Sequence, residues 1–149
     1  MPAVELLLRL VLAAVLGAAI GVERELRQKA AGLRTNILIA LGSALFTVVS
    51  LELAQVGGTP DRIAAQIVTG IGFLGAGSIL RSGRSVHGMT TAATIWVNAA
   101  VGMAAGAGLY MIASVSTVIT LIVLVILPFA ERHLDRYAAV TNSRRIGDH

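Results

Sequence analysis

Residues 88–130 form a run of 43 residues without a single Asp, Glu, Lys, Arg or His. As one straight helix this run would measure about 65 Å, roughly twice the hydrocarbon core of a bilayer. It must therefore cross, turn and cross again. Gly102, Gly106 and Gly108 mark the expected turn, between a helix near 89–105 and another near 108–129. Composition excludes a water-facing fold. Of the 149 residues 56% are hydrophobic and 13% charged, about half the charged share of a soluble domain, and the mean hydropathy is +0.81. Lipid offers no hydrogen bonds to a bare backbone, so spans must be helices or a closed barrel. The apolar runs are rich in Leu and Ala and lack period-two alternation, which selects helices.

Three further spans precede this pair, at 6–22, 35–54 and 63–80. The first is interrupted only by Arg9 and closed by Glu23-Arg24-Glu25-Leu26-Arg27; the third is closed by Arg81-Ser82-Gly83-Arg84. The expected fold is thus all-α, a polytopic transmembrane bundle of five helices over residues 1–130, followed by a basic cytoplasmic tail at 131–149. A cleaved signal peptide is disfavoured for the first segment, because Glu5 stands where a basic flank belongs. Ten Lys or Arg fall in the first loop, the third loop and the tail; the remaining two are Arg9 and Arg62. The excess of cations on one side places the N-terminus outside and the C-terminus in the cytoplasm. The net charge of +4 then reports topology and attraction to anionic headgroups. With aromatics at 4%, base stacking has little to work with and no nucleic-acid partner is expected.

Polar residues inside spans are costly and become functional candidates. In the fourth helix Thr90, Thr94, Asn98, Gly102 and Gly106 recur every four residues on one face, beside Thr91, with Trp96 opposite. Helix packing is the favoured reading of this stripe over a polar ligand or ion path. The third helix holds Gly70, Gly72, Gly75 and Gly77 with Gln66 and Thr69. These glycines spread around the axis, which favours a central helix pressed from several sides over a locally unwound one. Gly70-x-Gly72-x-x-Gly75 imitates a dinucleotide fingerprint but lacks the strand that motif requires. Gly17-x-x-x-Gly21 is a helix-association pattern and, with Gly102-x-x-x-Gly106, makes a homodimer the expected assembly. Glu23 lies four residues before Arg27, a surface ion pair unless Glu23 holds a cation or partner. Glu52 and Asp61 read as interfacial charge. No Asp, Glu, His or Lys is placed at mid-span, Cys is absent, and His87, His133 and His149 fall in loop or tail. No catalytic residues are assigned, and an enzyme is the weakest reading.

Four blocks in order, Gly21-Val22-Glu23-Arg24-Glu25, Ala31-Gly32-Leu33-Arg34-Thr35, Gln66 to Gly77 and Gly88-Met89-Thr90-Thr91-Ala92-Ala93-Thr94-Ile95-Trp96, resemble the MgtC/SapB family of bacterial membrane proteins. The resemblance covers roughly residues 5–128. It implies an inner-membrane protein of low-Mg²⁺ growth and acid-stress adaptation, related to virulence in intracellular pathogens. It also implies regulation through other membrane proteins, notably the proton-translocating ATP synthase. The expectation is a transmembrane domain without the cytoplasmic domain that virulence-associated members carry. Carried onto this chain, the implied binding positions are Glu23, Arg24, Arg34, Thr35, Asn36, Gln66, Thr69, Thr90, Thr91, Thr94 and Asn98. Glu23 with Arg24, the start of the second helix and the start of the fourth are expected to converge on one cytoplasmic polar pocket. No cofactor is expected beyond a possible Mg²⁺, for which no ligand set is identified. Function is expected to be non-enzymatic, by association with itself or other membrane proteins, with an oligomeric channel or carrier for Mg²⁺ or another ion as the alternative.

Overall fold

The computed structural model describes residues 1–83 and 85–146, without the side chains of residues 60, 61 and 130–146. Five helices fill it: α1 (Ala3–Leu26), α2 (Leu33–Ala54), α3 (Pro60–Gly77), α4 (Met89–Gly106) and α5 (Tyr110–Ile146). A two-stranded hairpin, β1 (Leu80–Ser82) and β2 (Ser85–His87), lies between α3 and α4. Three helical stretches are long and apolar enough to cross a membrane, namely α1, α2 and Tyr110–Phe129 of α5. With 18 residues each, α3 and α4 measure about 27 Å, close to the thickness of the hydrocarbon core.

α4 is the hub, packing on α1, α2, α3 and α5, while α2 packs on α1, α3 and α4. The core is built from small side chains. Ala13, Ala44, Val101, Ala105 and Ala113 form one cluster; Ala31, Ile39, Ile71, Ile95 and Ala99 form another. Helices in lipid gain little from hiding apolar area from each other, so close backbone approach and interhelical hydrogen bonds hold them. The outside is correspondingly apolar: Leu7, Val11 and Val15 on α1, and Met111, Val118 and Ile126 on α5, are exposed. An apolar exterior of this extent is a lipid-facing surface.

Helix ends explain the loops. After α1, Gln28 adopts the left-handed conformation (φ 53°); its N–H donates to Glu25 O and that of Lys29 to Arg24 O. This is a Schellman cap, usually given to glycine. Gly108 (φ 78°) plays the same part after α4, its N–H bonding Ala105 O and that of Leu109 bonding Ala104 O.

Several expectations need correction. α3 stops at Gly77 rather than 80, and Leu80, Arg81 and Ser82 pair with His87, Val86 and Ser85. The fold is therefore helical with one hairpin. Only Gly108 marks the turn between α4 and α5; Gly102 and Gly106 lie inside α4. α5 continues past 129 to Ile146, through Pro128, so part of the expected tail is helical backbone. The side chains of Arg84, Arg132, Arg136, Arg144 and Arg145, counted for topology, and of Asp61, read as interfacial charge, lie outside the described residues. α3 is not central. It packs on α2 and α4, with Phe73 83% exposed, and a Cβ added at Gly70, Gly72 or Gly77 would meet nothing within 4 Å among the described residues.

A buried polar seam joins the first, second and fourth helices

The seam begins where α1 leaves the bundle. Arg24 is 3% exposed, and its Nη2 donates to Thr91 Oγ1 at 2.9 Å, tying the last turn of α1 to the first turn of α4. Glu23 is also buried. Its Oε1 stands 2.6 Å from Arg27 Nε and its Oε2 3.8 Å from Arg24 Nη1, both ion pairs without hydrogen-bond geometry. Arg24 Nε has no hydrogen-bond partner among the described residues. A buried, incompletely paired guanidinium is a costly feature, so its bond to Thr91 weighs heavily in holding these ends together.

Deeper in, two fully buried asparagines meet. Asn98 Nδ2 on α4 donates to Asn36 O at 2.7 Å and to Asn36 Oδ1 at 3.0 Å on α2. Asn36 Nδ2 in turn donates to Ala31 O and Gly32 O, at 2.8 and 2.9 Å, before its own helix. One amide thus fixes the entry of α2, and the next amide fixes α4 upon it. Asn98 Oδ1 is left without a partner among the described residues. Such a pair needs near-contact of backbones, and glycine supplies it. A Cβ at Gly21 would lie 2.8 Å from Leu33 Cα, and one at Gly17 would lie 2.7 Å from Ala40 Cβ. On the other side of α2, a Cβ at Gly102 would lie 2.8 Å from Ala40 Cα, and one at Gly106 would lie 2.8 Å from Ala44 Cα. Both G-x-x-x-G patterns therefore pack within the chain, and neither remains free to argue for a dimer.

Of the residues singled out in the sequence, Glu23, Arg24, Asn36, Thr91, Thr94 and Asn98 lie buried along this seam. Thr94 Oγ1 donates to Thr90 O at 2.7 Å, within its own helix. Arg34, Thr35, Gln66, Thr69 and Thr90 are exposed; Thr35 and Gln66 instead line a groove between α2 and α3. A Cβ added at Gly75 would sit in ordinary contact with Ala92, 3.6 Å from its carbonyl oxygen and 3.8 Å from its Cβ. Trp96 is half exposed. Among the described residues, no group of three or more His, Cys, Asp or Glu is placed to hold a metal ion.

Two contacts were missed in the sequence. Glu25 Oε2 accepts the Leu33 N–H at 3.0 Å, capping α2 across the turn. At the far end of the bundle, Arg9 donates to Glu5 Oε1 at 3.0 Å and to Gly106 O at 2.8 Å, and Tyr110 OH donates to the same Glu5 oxygen at 2.5 Å. This clasp joins α1, α4 and α5. It places a cation on a carbonyl at the C-terminal end of α4, where the helix dipole favours one. The i, i+4 spacing of Glu5 and Arg9 was its only sequence signal. Glu52, read as interfacial charge, takes the N-terminal amine of Met1 at 3.3 Å.

Residues 10–133 match the MgtC family model. The chain is 53% identical over 127 residues to the Escherichia coli (strain K12) protein "Putative magnesium transporter YhiD", covering 80% of this chain and 59% of that one. It is 52% identical over 118 residues to "Uncharacterized protein slr0014" of Synechocystis, covering 79% and 50%. It is 46% identical over 130 residues to "Protein MgtC" of Salmonella typhimurium (strain LT2), covering 87% and 55%. The chain thus spans between half and three-fifths of the curated relatives it matches. No solved structure matches it.

Proposed function

The chain belongs to the MgtC family, and from that premise we propose that it is a non-enzymatic bacterial inner-membrane protein of magnesium homeostasis, acting by association with itself or with other membrane proteins. Five crossings, an outside N-terminus and a cytoplasmic C-terminus complete the reading, since the cation-rich turns after α1 and α3 fall on one side. One observation carries the association mechanism. Glu23, Arg24, Asn36, Thr91, Thr94 and Asn98 are buried between α1, α2 and α4, with Asn98 on Asn36 at 2.7 Å and Arg24 on Thr91 at 2.9 Å. Side chains engaged in this way hold helices; a conduction path needs them turned toward water. Capture of the tagged protein from native membranes is expected to bring down a stoichiometric membrane partner or a second tagged copy. Recovery of the protein alone in several mild detergents would contradict the proposal. An accessible C-terminal label on the outer face of intact cells would contradict the orientation.

The second reading is an oligomeric channel or carrier for Mg²⁺. It is favoured by the name of the YhiD relative and by the uncovered glycines of α3, which leave that helix free to meet another chain. Mg²⁺ flux into vesicles would decide for it.

A further inference from the structure

The bundle is open between α2 and α3. A groove of about 540 Å³ runs between them, walled by Leu38, Phe46, Ile67 and Leu74 and floored in part by Gly42 and Gly70. A cavity of about 150 Å³ with aliphatic walls holds one benzene, so at equal density this groove has room for about twenty carbon atoms, the size of one fatty acyl chain. It is not symmetric along the membrane. On α2 it begins at Thr35, two residues from the helix start, and stops at Phe46, about 12 Å short of the helix end.

Charge is placed at the Thr35 end. Arg34 is exposed beside it and makes no hydrogen bond or ion pair among the described residues; Lys29 in the preceding turn is exposed as well. A second copy related by a two-fold axis along the membrane normal would bring the same cations to the same edge, like charge toward like charge. An anionic headgroup brings the complementary sign. We propose that the groove between α2 and α3 is a binding site for an anionic phospholipid, one acyl chain lying along Gly42 and Gly70 and the phosphate held by Arg34 and the Thr35 hydroxyl. The site does not depend on how the protein acts in magnesium homeostasis, and either functional reading survives its failure.

The test uses a tryptophan inside the groove. Trp96 is the only tryptophan in the chain, so Phe46→Trp combined with Trp96→Phe gives one reporter at a half-exposed wall position. The full chain is reconstituted in phosphatidylcholine vesicles doped with phosphatidylglycerol or phosphatidylcholine carrying brominated acyl chains, which quench on contact. The anionic lipid is expected to quench at about fivefold lower mole fraction than the zwitterionic one. Arg34→Glu is expected to abolish that preference, whereas Arg62→Glu, on α3, leaves it intact. Gly70→Leu fills the groove from a position with no atom within 4 Å and is expected to reduce quenching by both lipids while far-UV circular dichroism stays unchanged. Added inorganic phosphate is expected to leave the preference unchanged. Equal quenching by the two lipids, or a preference that survives Arg34→Glu, overturns the proposal. So does a preference erased by free phosphate, which would mark an anion site without a lipid. Quenching that falls as the protein-to-lipid ratio rises would place a second copy in the groove and overturn it equally.

Discussion

Replacing Gly102 with alanine tests the packing of α4 on α2 at its tightest point. The new methyl would lie 2.8 Å from Ala40 Cα and 2.9 Å from the Ala40 carbonyl carbon, where carbon pairs prefer about 3.5–4.0 Å. Both neighbours are backbone, so neither can rotate away and α4 must retreat by about 1 Å. A gap of that size forfeits about a quarter to a half of each dispersion contact across the interface. One turn away, the Asn98 bonds of 2.7 and 3.0 Å to Asn36 would stretch past hydrogen-bonding range, near 3.5 Å. Overpacking costs about 1–3 kcal/mol and a buried amide without partners about 1–3 kcal/mol. Together these predict a loss of about 4 kcal/mol, a large fraction of the ~5–15 kcal/mol that holds a typical domain folded. Gly70→Ala is the matched control. Its Cβ meets nothing within 4 Å, so the gain in helix propensity, up to about 1 kcal/mol, is unopposed. Equilibrium unfolding in one detergent system, followed by far-UV circular dichroism, compares the two directly. If both variants unfold within about 0.5 kcal/mol of each other, the packing argument fails.

Three further outcomes are expected. Thr91→Val removes the hydroxyl that accepts from Arg24 Nη2 at nearly constant volume and should lower unfolding stability by about 1–3 kcal/mol, while Thr90→Val, at its exposed neighbour, should stay within about 0.5 kcal/mol. Gln28→Gly relieves a left-handed residue (φ 53°) and should stabilise the protein by about 0.5–1 kcal/mol; any loss would mean that the Gln28 side chain is needed. Tyr110→Phe deletes the donor to Glu5 and should cost about 0.5–1.5 kcal/mol, seen as a lower thermal midpoint.

The helices were legible because length and charge are local properties. An uncharged run of 43 residues can be folded back in few ways, and the four-residue recurrence of Asn98, Gly102 and Gly106 gave one face of α4. The partner of that face was not legible, since periodicity says which residues share a side and not what stands opposite. α3 shows the limit. Its glycines do spread around the axis, but glycine permits approach without compelling it, and a Cβ at Gly70, Gly72 or Gly77 would meet no atom within 4 Å among the described residues. The hairpin at residues 80–87 was hidden for another reason. Two three-residue strands around Gly83 carry too short an alternation to stand out against the end of an apolar helix. The convergence of Arg24 with Thr91 and of Asn36 with Asn98 joins residues 67 and 62 positions apart. Such contacts are set by helix crossing, which no local pattern encodes.

The central claim is that the polar groups inside this bundle hold helices together rather than conduct. Purified protein reconstituted in vesicles loaded with a Mg²⁺-sensitive dye puts it to the test, with an inward gradient and a permeant counterion. The account predicts dye signals indistinguishable from those of protein-free vesicles. A protein-dependent Mg²⁺ influx that Asn98→Ala or Arg24→Leu alters without unfolding the chain would contradict it.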